Sequence, residues 1–210
     1  MNKKERLAAF NRSNILSAAK RLFIEKGIAQ TTMDDISKEA DYSKSTVYAY
    51  FKSKDEIHSH IILENFEILK NDICEVLRSE PEFPDGYFAI CNALMENYRV
   101  SPLFFESVLS EIKIPDDESE TVLVQIYRAG DEINGVIESY LNQCVENKYI
   151  SLDMPPLQAT LILWAGITGI IMFAHKKNAY IGMATGTTKE CFMQNGFRLL
   201  LKSIMGEKYL

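Results

Sequence analysis

The chain lacks the residues and motifs on which most enzymes depend. It has 210 residues with one tryptophan, three histidines and four cysteines. No glycine-rich phosphate loop and no nucleophile elbow occurs, so the common nucleotide-binding and hydrolase signatures are missing. His58 and His60 lie two positions apart, about 200° around a helix, and cannot chelate one metal ion together. We therefore expect no enzyme, no metal site and no cofactor.

The cysteines exclude a disulfide framework. They are scattered with no close pair, which is the spacing of neither a zinc site nor a redox motif, and no signal peptide is recognisable. We expect buried thiols in a cytoplasmic protein. The four positions are Cys74, Cys91, Cys144 and Cys191.

Strand patterns, internal repeats and a convincing membrane span are also missing, which favours an all-helical fold. The longest apolar stretch, residues 157–174, is at the lower limit for crossing a bilayer and is interrupted by Gln158, Thr160 and Thr168. A helix that is apolar on all sides is also typical of a buried subunit interface. We expect an interface here and no membrane association.

Charge is distributed unevenly along the chain. The net charge is −6, yet residues 1–58 carry 11 Lys/Arg against 8 Asp/Glu. The head is therefore basic and the remainder strongly acidic, so the attraction for phosphate is confined to the head.

Residues 32–54 are the most informative part of the chain. Thr32 and Asp35 form a capping box at the start of a short helix. The segment from Asp41 to Ser43 interrupts that helix, since Asp tolerates the left-handed backbone of a turn. Ser43 then caps a second helix of about seven residues. Two short helices joined by such a turn are typical of a helix-turn-helix motif, here at about 32–51.

The second of these helices exposes a surface without acids. Val47 and Phe51 lie four apart and share its apolar face. The residues that remain outward are cationic, hydroxylated or aromatic. They are Lys44, Ser45, Thr46, Tyr48, Ala49 and Tyr50.

Residues 12–58 resemble the N-terminal DNA-binding domain of the TetR family of bacterial transcriptional regulators. Asp41 and Ser45 depart from the resemblance, since the family often has glycine at both positions, and Ala49 offers only a methyl contact. Order, spacing and residue type agree at 15–23, 26–27, 31–32, Ile36, Ala40, 43–44, 46–48 and 50–54.

The resemblance implies an all-α fold of about nine helices in two domains. Residues 1–54 would form a three-helix helix-turn-helix DNA-binding domain, and residues 55–210 a helical ligand-binding and dimerisation domain. A long fourth helix is expected to join them without a flexible linker. The implied partners are a double-stranded DNA operator, a second copy of the chain, and a small, largely apolar effector. The residues expected to contact DNA are Thr32, Lys44, Ser45, Thr46, Tyr48, Tyr50 and Lys54.

Two further sets of residues follow from the resemblance together with the pattern of apolar side chains. An effector pocket is expected among Phe66, Phe88, Asn92, Tyr98, Phe105, Tyr127, Arg128, Trp164 and Met172. A dimer interface is expected on the last two helices, at Leu161, Gly166, Gly169, Phe197, Leu200, Leu201 and Ile204.

The function implied is that of a homodimeric repressor, released from a pseudo-palindromic operator by a small molecule. An alternative uses the same head without a ligand, as an architectural or nucleoid-associated protein. The alternative predicts a collapsed core in the second domain and many genomic sites.

Overall fold

The fold is built from α-helices. The computed structural model describes residues 2–79, 82–108 and 121–205, with the backbone alone at 104, 106 and 108. The expected all-helical fold is confirmed, with one short helix more than the nine expected, because residues 178–185 form a helix of their own. The described helices are α1 (Lys3–Lys26), α2 (Met33–Glu39), α3 (Lys44–Tyr50), α4 (Lys54–Ser79), α5 (Asp85–Val100), α6 (Pro102–Val108), α7 (Val122–Glu146), α8 (Pro156–Lys176), α9 (Asn178–Thr185) and α10 (Lys189–Lys202).

Contacts divide the described chain into two compact units. The first comprises residues 2–65 and 121–126, and the second residues 66–79, 82–108 and 127–205. The division falls inside α4, so the first three turns of that helix group with the head. The domain boundary expected after residue 54 remains a prediction.

Capping residues delimit the helices of the first unit. Gly27 ends α1 with a φ of 83°, which glycine adopts without steric cost. The Glu56 amide donates a hydrogen bond to the Ser53 hydroxyl at 3.1 Å, and the Glu56 carboxylate accepts one from the Lys52 amide at 2.6 Å. These bonds satisfy amides that a helix start leaves without partners. The core beneath them is apolar and includes Ile15, Phe23, Ile36, Val47, Phe51 and Ile57.

In the second unit α8 packs closely on α10. A Cβ on Gly196 would lie 2.9 Å from Cδ1 of Ile170, and a Cβ on Gly166 would lie 2.8 Å from Cδ1 of Leu200. Because glycine has no side chain, Gly166 and Gly196 allow α8 and α10 to approach each other closely. Tyr87 of α5 donates a buried hydrogen bond of 2.9 Å to the carbonyl of Phe197, which ties α5 to α10.

Helix α8 is long and apolar enough to cross a bilayer by length and composition, with 21 residues. Its inner face, which includes Leu163, Ile167 and Ile171, is buried within the unit. Its outer face exposes Leu161 and Ile162, each 49% accessible. One buried face is what the core helix of a soluble protein also shows, so α8 is weak evidence for a membrane span.

The cysteines are less uniformly buried than the sequence predicted. Cys91 and Cys144 are buried, Cys74 is half-buried, and Cys191 is exposed in the first turn of α10. The prediction was wrong for Cys191, because its position follows the N-cap Thr188 on the outer side of the helix.

Candidate nucleic-acid interface

The turn between α2 and α3 has the geometry that the sequence predicted. Thr32 caps α2 and exchanges hydrogen bonds with Asp35 in a capping box. Asp41 adopts a φ of 59°, the left-handed conformation expected there. Ser43 caps α3 through the amide of Thr46 at 3.1 Å. A helix of seven residues is thus fixed at its start by a side chain and at its end by the buried Phe51.

Helix α3 presents an outer face without acidic residues. Val47 is fully buried, while Lys44, Ser45 and Tyr48 are exposed. Thr46 and Tyr50 are half-buried at the edges of this face. An exposed cation, hydroxyls and an aromatic ring on a short helix are suited to a DNA groove, because they donate to phosphate oxygens and base edges.

Three of the outward side chains, those of Lys44, Ser45 and Thr46, already have partners in the protein. Nζ of Lys44 lies 2.5 Å from Oδ2 of Asp34, in an ion pair that joins α3 to α2. The hydroxyls of Ser45 and Thr46 both contact the Ser43 hydroxyl, at 2.9 and 2.8 Å. Exposed pairs of this kind contribute only about 0–1 kcal/mol. A phosphate can therefore compete for Lys44 at small cost.

Thr32 and Lys54 are placed differently from the other expected DNA contacts. The amide and hydroxyl of Thr32 both donate to Oδ2 of Asp35, at 2.9 and 2.7 Å. Nζ of Lys54 donates to the carbonyls of Ile28, Ala29 and Thr31 at 2.9–3.1 Å. Backbone oxygens thus already bind the Lys54 ammonium. Both side chains are thus engaged in holding the loop after α1.

Asp35 adds a further link between that loop and α1. Its carboxylate lies 2.8 Å from Nζ of Lys26. The bond from Lys26, followed by those from Thr32, holds the pKa of Asp35 far below its usual range. The carboxylate is therefore charged at neutral pH.

An asparagine network that sequence reasoning missed ties α1 to the turn before α3 and to the last residue of α3. Oδ1 of Asn11 accepts from the Tyr42 hydroxyl at 2.9 Å, and its Nδ2 donates to the Tyr50 hydroxyl at 3.1 Å. Asn14 donates to the same Tyr42 hydroxyl at 3.3 Å. The signal in the sequence was a pair of asparagines one turn apart on a helix face, where such residues are unfavourable.

Arg12 contacts the C-terminal end of α3. Its guanidinium lies 4.3 Å from the centre of the Phe51 ring and donates to the Tyr50 carbonyl at 3.4 Å. It also lies 2.6 Å from Nε2 of His60 on α4. Burial, with a smaller effect of the Arg12 charge, lowers the pKa of His60. Arg12 thereby satisfies an orphan carbonyl at the negative end of α3.

Residues 15–61 match the sequence profile of the family described as bacterial regulatory proteins, tetR family. The chain is 26% identical over 169 residues to the HTH-type transcriptional regulator AcrR of Shigella flexneri, covering 76% of each chain. The chain is a TetR-like transcriptional regulator. It is also 37% identical over 62 residues to IcaR, a biofilm operon negative transcriptional regulator of Staphylococcus aureus, covering 30% of this chain and 33% of IcaR.

A solved structure supports the fold over nearly the whole regulator. A Rhodococcus sp. RHA1 protein of unknown function superposes with a TM-score of 0.75, covering 93% of this chain and 95% of that one. At 14% identity this likeness concerns the fold alone. The family assignment rests on the head and on the AcrR match.

The residues expected at a dimer interface fall into two groups. Leu161 and Gly169 of the regulator are exposed on α8, and Gly166, Leu200 and Ile204 are half-buried. Phe197 is fully buried and Leu201 is 5% accessible within the chain. Their side chains fill the core beneath α8, and the interface itself remains a prediction.

The residues expected in an effector pocket are also divided. Phe66, Tyr98 and Phe105 are buried, and the Tyr98 ring packs edge-on against Phe105 at 5.2 Å. Asn92, Tyr127 and Arg128 are exposed, and their place in an effector pocket remains a prediction.

The other three are less exposed. Phe88 and Met172 are half-buried. Trp164 lines a small apolar cavity of about 20 Å³ in the second unit. Since small-molecule sites measure about 300–1,000 Å³, this cavity holds no effector without repacking.

Among the described residues, no three or more His, Cys, Asp or Glu side chains form a cluster that could bind a metal ion. His58 packs against Phe23 and His60 against Phe51, each ring edge-on, so both histidines contribute to the packing of α4 on the head.

Proposed function

We propose that the regulator is a cytoplasmic homodimer that represses transcription from a pseudo-palindromic operator. The observation that carries the proposal is the acid-free outer face of α3, fixed at one end by the Ser43 cap and at the other by Asn11 and Arg12. A recognition helix must be held rigidly to read bases, and a seven-residue helix is not stable alone. The sequence likeness to IcaR, a negative regulator, favours repression.

Within α3 the outward residues divide into two roles. Lys44, Ser45 and Tyr48 are the most exposed and would enter the major groove, where they contact base edges and adjacent phosphates. Thr46 and Tyr50 lie at the border of this face and would contact the sugar-phosphate backbone. Thr32 and Lys54 would act indirectly, by holding the loop that supports α2.

The exposed apolar face of α8 and α10 supports dimerisation. Leu161 and Ile162 are 49% accessible, Phe173 46% and Leu199 71%. A groove of about 450 Å³ on the same pair of helices is lined largely by apolar side chains, including Ile170. Contiguous exposed apolar surface of this kind is typical of subunit interfaces. A two-fold dimer would present two α3 helices roughly 34–36 Å apart, one helical turn of DNA.

Release from the operator would follow from a shift between two packings of the dimer. An effector that binds better to the packing unsuited to the operator weakens DNA binding by its difference in affinity. A coupling of about 2–3 kcal/mol lowers operator affinity roughly 30–150-fold. Helix α4 is continuous from Lys54 to Ser79 and belongs to both units, so it would transmit the shift.

Selection of genomic fragments tests the proposal. Purified regulator is mixed with sheared genomic DNA, and the retained fragments are sequenced. A few fragments that share an inverted repeat with half-sites one helical turn apart are expected. Many fragments without a shared sequence would contradict operator recognition and favour the architectural alternative.

A further inference from the structure

A groove lies between α4 and α7 in the second unit. It has a volume of about 670 Å³ and opens to solvent. That volume lies within the range of small-molecule sites, about 300–1,000 Å³. On α4 its wall runs from Lys70 to Arg78, which is a length of about 12 Å along the helix.

The two ends of the groove differ in charge. At one end Nζ of Lys70 lies 2.6 Å from Glu67 and 2.7 Å from Glu132, so that charge is compensated within the protein. At the other end Arg78 is exposed in the last turn of α4. No carboxylate of the described residues forms an ion pair with Arg78. The charge of Arg78 is therefore available to pair with an anionic ligand.

Between these ends the walls are mainly apolar. Leu77 and Val136 are half-buried on opposite sides, and Cys74 lies between Lys70 and Arg78 on the same face of α4. Gly135 supplies no side chain, and a Cβ there would meet nothing within 4 Å, so the middle of the groove stays wide. Such walls bind a hydrocarbon by removing it from water.

The base of the groove connects it to the core. Tyr140 lines both the groove and the small internal cavity around Trp164. It is 5% accessible, and its hydroxyl has no hydrogen-bond partner among the described residues. A ligand in the groove would therefore contact Tyr140, which also lines the interior of the second unit.

We propose that the α4–α7 groove binds an amphipathic carboxylate with an unbranched apolar body. Its carboxylate pairs with Arg78, and its chain lies along Leu77 and Val136. The role of this ligand as an effector rests on the proposed function, whereas its binding does not. Because a guanidinium–carboxylate pair is short and directional, we expect the carboxylate to set the orientation of the ligand.

Protection of Cys74 tests the site directly. The full-length protein, without DNA, is treated with iodoacetamide in the presence of decanoate, and alkylation at each cysteine is followed by mass spectrometry. Cys74 lies in the groove, while Cys191 is exposed on α10 and serves as the internal reference. We expect decanoate to slow the alkylation of Cys74 several-fold and to leave Cys191 unchanged.

Two comparisons test the chemistry of the ligand. Decanol has the same chain without the carboxylate, and we expect it to need about tenfold higher concentration for the same protection. Arg78→Gln should weaken protection by decanoate by about the same factor, because a charge-assisted bond is lost. Arg198→Gln, an exposed arginine on α10, is the matched control and should leave protection unchanged.

Several results would overturn the site. These are a Cys74 that does not react in the free protein, equal slowing at Cys74 and Cys191, equal protection by decanol, or full protection in Arg78→Gln. Operator affinity is then measured separately with and without decanoate. Protection of Cys74 with no change in operator affinity would support the site and contradict its regulatory role.

Discussion

At the scale of single residues, two buried tyrosines of the second unit differ in what their hydroxyls contact. Tyr87 donates to the Phe197 carbonyl, whereas the Tyr140 hydroxyl has no hydrogen-bond partner among the described residues. Burial is the largest cause that raises the pKa of both phenols, so both stay neutral. A buried hydroxyl without a partner costs free energy that a satisfied one does not.

Replacing each tyrosine by phenylalanine should therefore give opposite results. Tyr87→Phe removes a buried hydrogen bond and should lower the free energy of unfolding by about 1 kcal/mol. Tyr140→Phe removes an unsatisfied hydroxyl and should leave stability unchanged or raise it. Urea unfolding followed by circular dichroism measures both. Equal destabilisation by the two substitutions would show that Tyr140 has a partner.

Lys54 provides a second prediction at this scale. Its ammonium donates to three carbonyls of the loop after α1. Lys54→Ala should lower the free energy of unfolding by about 1 kcal/mol, less than the full value of charge-assisted bonds because the side chain is half-exposed. Lys52→Ala, at an exposed neighbour, should have little effect. If Lys54→Ala leaves the stability unchanged but flattens the salt dependence of DNA binding, Lys54 contacts a DNA phosphate directly instead of supporting the loop.

At the scale of helices, the pair α2 and α3 could be predicted almost completely from the sequence. Its caps, the left-handed Asp41 and the buried Val47 all follow from local chemistry. The packing of α8 on α10 could not be predicted in the same way. An apolar stripe does not say whether a side chain such as Phe197 faces its own core or a partner, since both environments are dry. The asparagine network at the end of α3 depends on contacts between positions about 30–40 residues apart, which periodicity does not report.

Alanine substitutions at two glycines test the packing of α8 against α10. Gly196→Ala places a Cβ within 3.2 Å of three atoms of Ile170, and overpacking costs about 1–3 kcal/mol. Gly169→Ala meets open space and gains helix propensity of up to about 1 kcal/mol. Thermal unfolding should therefore occur at lower temperature for Gly196→Ala than for Gly169→Ala. The reverse order would contradict the helix packing described here.

The ion pair between Lys44 and Asp34 gives a prediction for DNA binding by the helix pair. Lys44→Ala should weaken operator binding by about tenfold, because a phosphate contact is lost. Asp34→Asn should strengthen it modestly, since it frees Lys44 and removes a negative charge near DNA. Fluorescence anisotropy with a labelled operator measures both. Unchanged affinity in both variants would place the contact elsewhere on the head.

At the scale of the whole molecule, the three histidines make stability depend on pH. Burial is the largest cause that lowers the pKa of His58, His60 and His175 below 6.5. Each therefore contributes stability that is complete above about pH 6.5, the value in the unfolded chain, and is lost as the pH falls toward the folded value.

The free energy of unfolding should accordingly decrease between pH 7 and pH 5.5, as measured by urea unfolding at each pH. His58→Asn should be less stable at pH 8 but should show a weaker dependence on pH. Stability that stays constant or increases over this interval in the wild-type protein would contradict the burial of the neutral rings.

The basic head and the acidic remainder suit the proposed specific binding of DNA better than general binding. Residues 1–58 carry a modest excess of three positive charges, so phosphate attraction alone would give weak binding. In the proposed dimer, paired heads and base contacts would supply the remaining affinity.

The measurement that tests this account most directly is binding to the DNA upstream of the regulator's own gene, titrated with salt and with excess random DNA. The account predicts a salt-sensitive complex of one or two dimers on a short inverted repeat, retained against the competitor. Weak binding that random DNA removes equally well, both here and on selected genomic fragments, would contradict it.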